Sequence, residues 1–471
     1  MKRPPMAIPL RRAVGWLGAA SGVLAALAAC SSPDVRPRSQ EDEPTPDASL
    51  PPVEVPSDGG AGDATNKPPF DPTDEHVTCA ATPCAVQLVA GDHHFCARMS
   101  DGTVRCWGDD ARGALGGGEV GDAGPSTDAG DGDWRAGRVT DLADATHISA
   151  AGAATCAVAG DGGVSCWGAN DKGQLGIEPA GPESAGEHHP TPLAVDLPSG
   201  AKRVDVGPTS ACAVLTNGEV WCWGDNSRKQ LARATAGAFG APAKAELGAL
   251  RVARTAAGTY SGFAVTDVGE ILSWGAVDKK DGALAARVSS LLADPAPLAI
   301  ELGPVSSFAI SSTTIDGSDF RDVRWIGHAC AIVSGDVYCW GDSLTGALAM
   351  GAPEPVLSPR RTSVASTTAW GQQVAVAPEI TCVRLTDGTI ECAGDNAFGA
   401  LGRDPKTRYA IFFARAETFT GHAVHVAIAT HTVCALLQGG SVVCWGSNER
   451  GELGQGTTDT DPHPTPVPVR L

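Results

Sequence analysis

The chain has 471 residues, 54 acidic against 35 basic side chains, a formal net charge of −19, 58 glycines, 34 prolines and 42% hydrophobic residues. That length admits one large repeat architecture or two to three ordinary domains. The turn-rich composition favours an all-β fold, and the acidic balance excludes the clustered Lys and Arg on which nucleic-acid binding depends.

Residues 1–29 read as an export signal. Lys2, Arg3, Arg11 and Arg12 make a positive leader with no acid in it, so the remainder of the chain stands at −23. Ala13 to Ala26 is an apolar stretch too short for an ordinary membrane span. It ends in Leu27-Ala28-Ala29-Cys30, which resembles the bacterial lipobox, in which the cysteine is lipidated and becomes the mature N-terminus. Each buried methylene of such a lipid contributes about 0.8 kcal/mol, so several acyl chains form a lasting anchor. Ser31 follows the cysteine, which by lipoprotein sorting favours the outer membrane. The expectation is an exported protein at the outer membrane or cell surface, touching the membrane through its lipid on Cys30 alone.

Residues 30–78 are expected to be a disordered tether. From Ser31 they hold ten prolines, eleven acids, three bases and one aromatic, Phe70, from which no core can form. As a flexible chain this spans roughly 40 Å.

The remainder, 79–471, repeats. The units are Cys96–Gly108 (CARMSDGTVRCWG), Cys156–Gly168 (CAVAGDGGVSCWG), Cys212–Gly224 (CAVLTNGEVWCWG), Phe263–Gly275 (FAVTDVGEILSWG), Cys330–Gly341 (CAIVSGDVYCWG), Cys382–Gly394 (CVRLTDGTIECAG) and Cys434–Gly446 (CALLQGGSVVCWG). Several are followed by a Gly-x-Leu-Gly tail, as at Gly113–Gly116, Gly173–Gly176, Gly399–Gly402 and Gly451–Gly454. Successive Trp-Gly positions, with Ala393 standing once for Trp, lie 60, 56, 51, 66, 53 and 52 residues apart. That period suits one four-stranded propeller blade per repeat.

Each unit reads as a hairpin. In the third, a three-residue loop Thr216-Asn217-Gly218 sets Leu215 opposite Glu219 and Cys212 opposite Cys222, with glycine at the left-handed third position. The same register puts Gly102, Gly162, Gly269, Gly388 and Gly440 there. The fifth unit is one residue shorter, and a two-residue loop Ser334-Gly335 again sets Cys330 opposite Cys339.

These units resemble the repeats of the regulator of chromosome condensation family. The resemblance covers about residues 79–471 and implies a seven-bladed β-propeller that acts by protein–protein contact. This chain departs from the family by adding cysteine pairs and a long insertion, roughly Ala285 to Arg324. The name-giving member's nuclear role does not carry over to an exported acidic chain.

Six cysteine pairs fall at equivalent hairpin positions: Cys96–Cys106, Cys156–Cys166, Cys212–Cys222, Cys330–Cys339, Cys382–Cys392 and Cys434–Cys444. Cys79 and Cys84 remain and can pair with each other, which with Cys30 accounts for all fifteen cysteines. The fourth unit lacks both partners together, having Phe263 and Ser273. Pairs facing each other at a non-hydrogen-bonded site suit disulfides and an oxidising compartment. Zinc modules need shorter ligand spacings, so no metal and no cofactor is expected on the cysteines.

Trp107, Trp167, Trp223, Trp274, Trp340 and Trp445 are expected to pack between blades. His94, His328 and His431, each just before a cysteine, are expected to be buried structural histidines. The acidic segment 122–133 is expected to be a solvated insertion, with calcium as the rival reading. The C-terminal 464–471 resembles the start of an eighth unit and is expected to complete the first blade. No Gly-x-Ser-x-Gly, His-Glu-x-x-His or phosphate-binding Gly-x-x-x-x-Gly-Lys occurs. The expected function is therefore a non-catalytic, lipid-anchored scaffold or adhesion surface, a monomer with an extracytoplasmic protein partner and no nucleic acid. The alternative is an extracytoplasmic enzyme acting on glycan or peptidoglycan through loop insertions.

Overall fold

The structure, a computed structural model, describes residues 67–118, 136–181, 186–275, 294–315, 324–343, 345–352 and 354–471. The export signal, Cys30 and the acidic segment 122–133 lie outside the described residues.

The hairpins form with the register read from the sequence. Cys212 pairs with Cys222 and Val214 with Val220, while Leu215 donates its N–H to Glu219. The third loop residue is left-handed in all six long hairpins, with φ between +76° and +87° at Gly102, Gly162, Gly218, Gly269, Gly388 and Gly440. In the short fifth hairpin Ser334 and Gly335 both have positive φ, at 51° and 86°. That is the two-residue turn whose twist matches its strands.

Each hairpin supplies the middle two strands of a blade. The described residues form seven four-stranded antiparallel sheets, each made of four consecutive strands. The innermost strands are Ala85–Ala90, Ala145–Ala151, Ala201–Val206, Val252–Ala257, Val305–Ile315, Gly371–Ala377 and Ala423–Ile428. They touch one another round the ring and line a central channel. The outermost strands are Gly137–Arg138, His188–Val195, Gly237–Lys244, Asp294–Ala299, Val356–Thr362, Tyr409–Arg415 and Asp459–Pro468. The chain is thus an all-β, seven-bladed propeller.

The Trp-Gly pair holds the blades together. All six tryptophans are fully buried. At five seams the indole N–H crosses to a tail carbonyl of the preceding blade: Trp107 to Glu452, Trp167 to Ala114, Trp223 to Gln174, Trp274 to Gln230 and Trp445 to Ala400, all at 2.8–2.9 Å. The following glycine has φ between +98° and +118°. A Cβ there would come within 2.0–2.8 Å of a carbonyl oxygen at the turn between the blade's first two strands or, in blade five, that of Gly327 in the second strand, which leaves room for glycine alone.

Three expectations are corrected. The C-terminus does not complete the first blade: Asp459–Pro468 pairs with Val442–Asn448 of its own blade, and Gly137–Arg138 closes the first. Each outer strand follows its own hairpin, so the repeat is in phase with the blade and no strand is exchanged. Among the described residues, the stretch around Ala285 to Arg324 is not an insertion between units but supplies strands of the blades themselves. Asp294–Ala299 is the outer strand of blade four, and Val305–Ile315 with Arg324–Val333 forms lengthened arms in blade five.

The tether also ends early. Residues 67–78 lie across blades five to seven. Phe70 packs on the core near Gly335, and the Trp370 indole donates to the Pro68 carbonyl at 2.6 Å. Asp74 pairs with the buried Arg384, Glu75 with His422, and Thr78 N–H bonds to Gln438 O at 2.8 Å. The single aromatic in a polar stretch supplies the apolar contact that composition alone averages away.

If the indole bonds fix the seams, Trp223→Phe keeps most of the apolar volume but orphans the buried Gln174 carbonyl. It should lower unfolding free energy by about 1–3 kcal/mol, measured by denaturant titration. A change within a few tenths would mean that packing alone carries the seam.

Candidate functional site

The cysteines are structural. The six hairpin pairs are buried, with Cα atoms 4.0–4.1 Å apart at non-hydrogen-bonded sites, and Cys79–Cys84 closes a short loop with Cα atoms 5.7 Å apart. In blade four Phe263 stands opposite Ser273, and its ring packs 5.7 Å from that of Phe308. The pairs face into blades, where no substrate reaches them.

Two of the three singled-out histidines join seams. His94 Nε2 lies 2.9 Å from Thr155 Oγ1 in the next blade, and His328 Nε2 lies 2.8 Å from Thr381 Oγ1. Thr155 Oγ1 gives its own hydrogen to the Ala114 carbonyl, so His94 is the donor there and is neutral with its proton on Nε2. Burial pushes both imidazoles down to about 4. His431 is different: it is half-buried in a turn, beside Glu379 and Asp395.

The channel holds a cavity of about 250 Å³. Equivalent positions on the innermost strands carry Gln87, His147, Arg203, Arg254, Ser307, Gln373 and His425. Most serve the ring. Gln87 bonds both backbone groups of Ile148, Gln373 those of Val426, and Ser307 accepts the Val374 N–H. Asp205 pairs with Arg203 at 2.7 Å and accepts two bonds from Thr255. These polar side chains therefore splice blade to blade, and the sequence reading did not single them out.

The outer rim of blades five and six is the most interaction-prone surface. Phe412, Leu357, Tyr409 and Ile411 are 60%, 51%, 46% and 40% exposed. Phe412 lines a recess with Met350, Arg360, Arg361, Thr362 and Ser363. Aromatic, Met and Arg side chains with open apolar area are the composition of protein-contact centres. The signal was present in Tyr409-Ala410-Ile411-Phe412-Phe413-Ala414-Arg415, an outer strand that does not alternate cleanly between apolar and polar.

Comparison with known proteins places this geometry. Residues 85–114 and 201–230 match the regulator of chromosome condensation (RCC1) repeat. Those two segments are similar to RCC1 repeats. Both matches begin on the first residue of an innermost strand and end on Ala114 and Gln230, the residues whose carbonyls receive the next blade's indole. The chain is similar to the human E3 ubiquitin-protein ligase HERC2, at 29% identity over 194 residues. That match covers 40% of this chain and only 4% of HERC2. It is 24% identical over 383 residues to the ultraviolet-B receptor UVR8 of Arabidopsis thaliana, covering 80% of each. Among solved structures, Prp20p from Saccharomyces cerevisiae shares the fold, with a TM-score of 0.61 at 17% identity over 84% of this chain and 88% of that one.

The seam histidines make this ring acid-sensitive. Their folded pKa of about 4 lies below the unfolded value, so the unfolded chain binds more protons between roughly pH 6.5 and 4. Their contribution is present above that window and is lost as pH falls through it, up to about 3 kcal/mol each. Asp110, pushed up to about 6 by burial, acts in the opposite sense. The difference between wild type and His328→Gln isolates the histidine. The wild type should lose its stability advantage between pH 7 and pH 4.5 in thermal melts, and parallel curves would contradict the assignment.

Proposed function

We propose that this chain is an exported, lipid-anchored propeller that binds a protein outside the cytoplasm and performs no catalysis itself. The observation that carries the binding role is the exposed Phe412 beside Arg360 and Arg361, on a strand that also exposes Tyr409 and Ile411, on a rigid, disulfide-stapled ring. An aromatic anchor on a preorganised surface loses little entropy on association. Prp20p, which shares the fold, is described by its binding to Gsp1p and histones, and binding through the propeller is the role taken over here. Its partners are not, because an acidic exported chain meets neither.

Support for export comes from the leader, Cys30 and the paired cysteines, since disulfides persist in oxidising compartments. Lipidation at Cys30 fixes the chain to a membrane, and the proline-rich stretch that follows spaces the ring from it.

Two measurements test the two halves. Cys30→Ser should abolish fatty-acid labelling and move the chain from the membrane fraction to the soluble fraction; unchanged membrane attachment would refute the anchor. Cross-linking on intact cells followed by mass spectrometry should yield a discrete adduct, reduced at least about tenfold in Phe412→Ala/Arg360→Glu if the pair acts as a contact centre. An adduct insensitive to that pair would remove the rim from consideration.

A further inference from the structure

The repeat brings three side-chain positions together at a seam. The residue after the Trp-Gly position (Ala-Gly in blade six) donates its backbone N–H to the turn between its blade's first two strands, Asp109 to His93, Ala169 to Ala153, Asp225 to Thr209, Asp395 to Glu379 and Ser447 to His431, and in blade five Asp342 donates to Gly327 within the lengthened second strand. The corresponding turn of the next blade can reach across the seam. At the closing seam, for instance, His93 in the first turn of blade one lies 3.5 Å from Glu452 in the tail of blade seven.

At the seam between blades six and seven all three positions carry metal-ligating side chains. Glu379, Asp395 and His431 place one ligand atom each within 4.8 Å of one another, and among the described residues this is the one such group. The other seams mix in Ala153, Thr209, Gly327 or Ser447 at these positions, so the coincidence is not a property of the repeat.

A second observation lies in Asp395 itself. The residue is 5% exposed. Its Oδ2 accepts the Ala397 N–H at 3.2 Å, but its Oδ1 has no hydrogen-bond partner and is shielded from solvent. Arg408, the nearest cation, stands 3.9 Å away on an exposed side chain. A buried carboxylate oxygen with no hydrogen bond and only a long ion pair to an exposed guanidinium is poorly compensated, and a cation held directly beside it removes that cost. The carboxyl is accordingly pushed up by burial, opposed by the Ala397 N–H and by His431.

We propose that Glu379, Asp395 and His431 form a divalent transition-metal site of the zinc class that bridges blades six and seven. One imidazole nitrogen and two carboxylates suit zinc better than calcium, which takes six to eight oxygens. Ligands about 2.1 Å from such an ion lie roughly 3.0–3.5 Å apart, so the cluster closes slightly on binding. His431 Nε2 and Glu379 Oε2 are already 3.5 Å apart. The half-buried Glu379 and His431 can swing, while Asp395 is held by its backbone and Oδ2 bonds. The ring of Phe398, 5.1 Å from that of His431, walls one side of the imidazole.

The test is calorimetric titration of zinc into the full chain after chelator treatment. One equivalent should bind, weakened at least about tenfold in Asp395→Asn and in His431→Gln, and unaffected in His93→Gln at the neighbouring seam. Cobalt should give a visible absorption band in wild type that Asp395→Asn lacks. No saturable binding, or binding unchanged by Asp395→Asn, overturns the site; the latter means adventitious capture by surface histidines such as His188, His189 or His463. If Asp395→Asn fails to fold by circular dichroism, His431→Gln and Glu379→Gln, both at partly exposed positions, decide the matter by the same criterion.

Discussion

The propeller depends on a hydrogen bond from a buried indole to a carbonyl in the neighbouring blade. A fully buried Trp needs a partner for its N–H, since leaving a polar group unpaired in an apolar interior is expensive. At five seams the partner belongs to the preceding blade, so a blade reaches its best packing only when its neighbour is docked in register. Each blade is thereby coupled to the next, as in other repeat proteins. The same bond closes the ring: Trp107 and Glu452 are 345 residues apart and meet as any adjacent pair does. Closure therefore needs no exchanged strand. The seam into blade six shows what happens without the indole. Ala393 takes the Trp position, Phe413 belongs to the surrounding core, and the His328–Thr381 contact crosses that seam as His94–Thr155 crosses the seam into blade two.

The disulfides act on a different scale. Each hairpin bridge spans nine or ten residues within one blade, so it limits unfolding of that hairpin and ties no blade to another. Stability of a blade and integrity of the ring are thus separable: cysteines hold the first, indoles and seam polar groups the second. Blade four illustrates the separation, since Phe263 and Ser273 replace the pair there without loss of strand register.

Most of the fold was legible because the hairpin is locally encoded. Turn length, a glycine at the left-handed position and a cysteine at a fixed distance from the turn vary together, and strand register follows from them. The outer strands were not legible: Asp294–Ala299 and Gly137–Arg138 carry no motif, and their place is set by packing against a hairpin already formed. The same blindness made the C-terminal strand look like the start of a new unit. The channel polar residues and the Glu379, Asp395 and His431 group were invisible for a related reason. Their members lie 16 to 52 residues apart and meet only through blade geometry, so His431 read as a third copy of His94 and His328.

The symmetry of the ring is broken mainly in blades five to seven, and those breaks fall on opposite faces. Residues 67–78 run across the hairpin-turn face, touching Gly335, Trp370, Arg384, His422 and Gln438. Asp395, His431 and the mouth of the channel near Gly91 and Gly152 lie at the other ends of the strands, where the first turn of each blade sits. Residues 67–78 are therefore strapped to one face, and the strap spreads its contacts over three blades through ion pairs, an aromatic contact and backbone bonds. The channel mouth and the acidic seam are directed away from the strap, and the Phe412 rim lies at the side, clear of it.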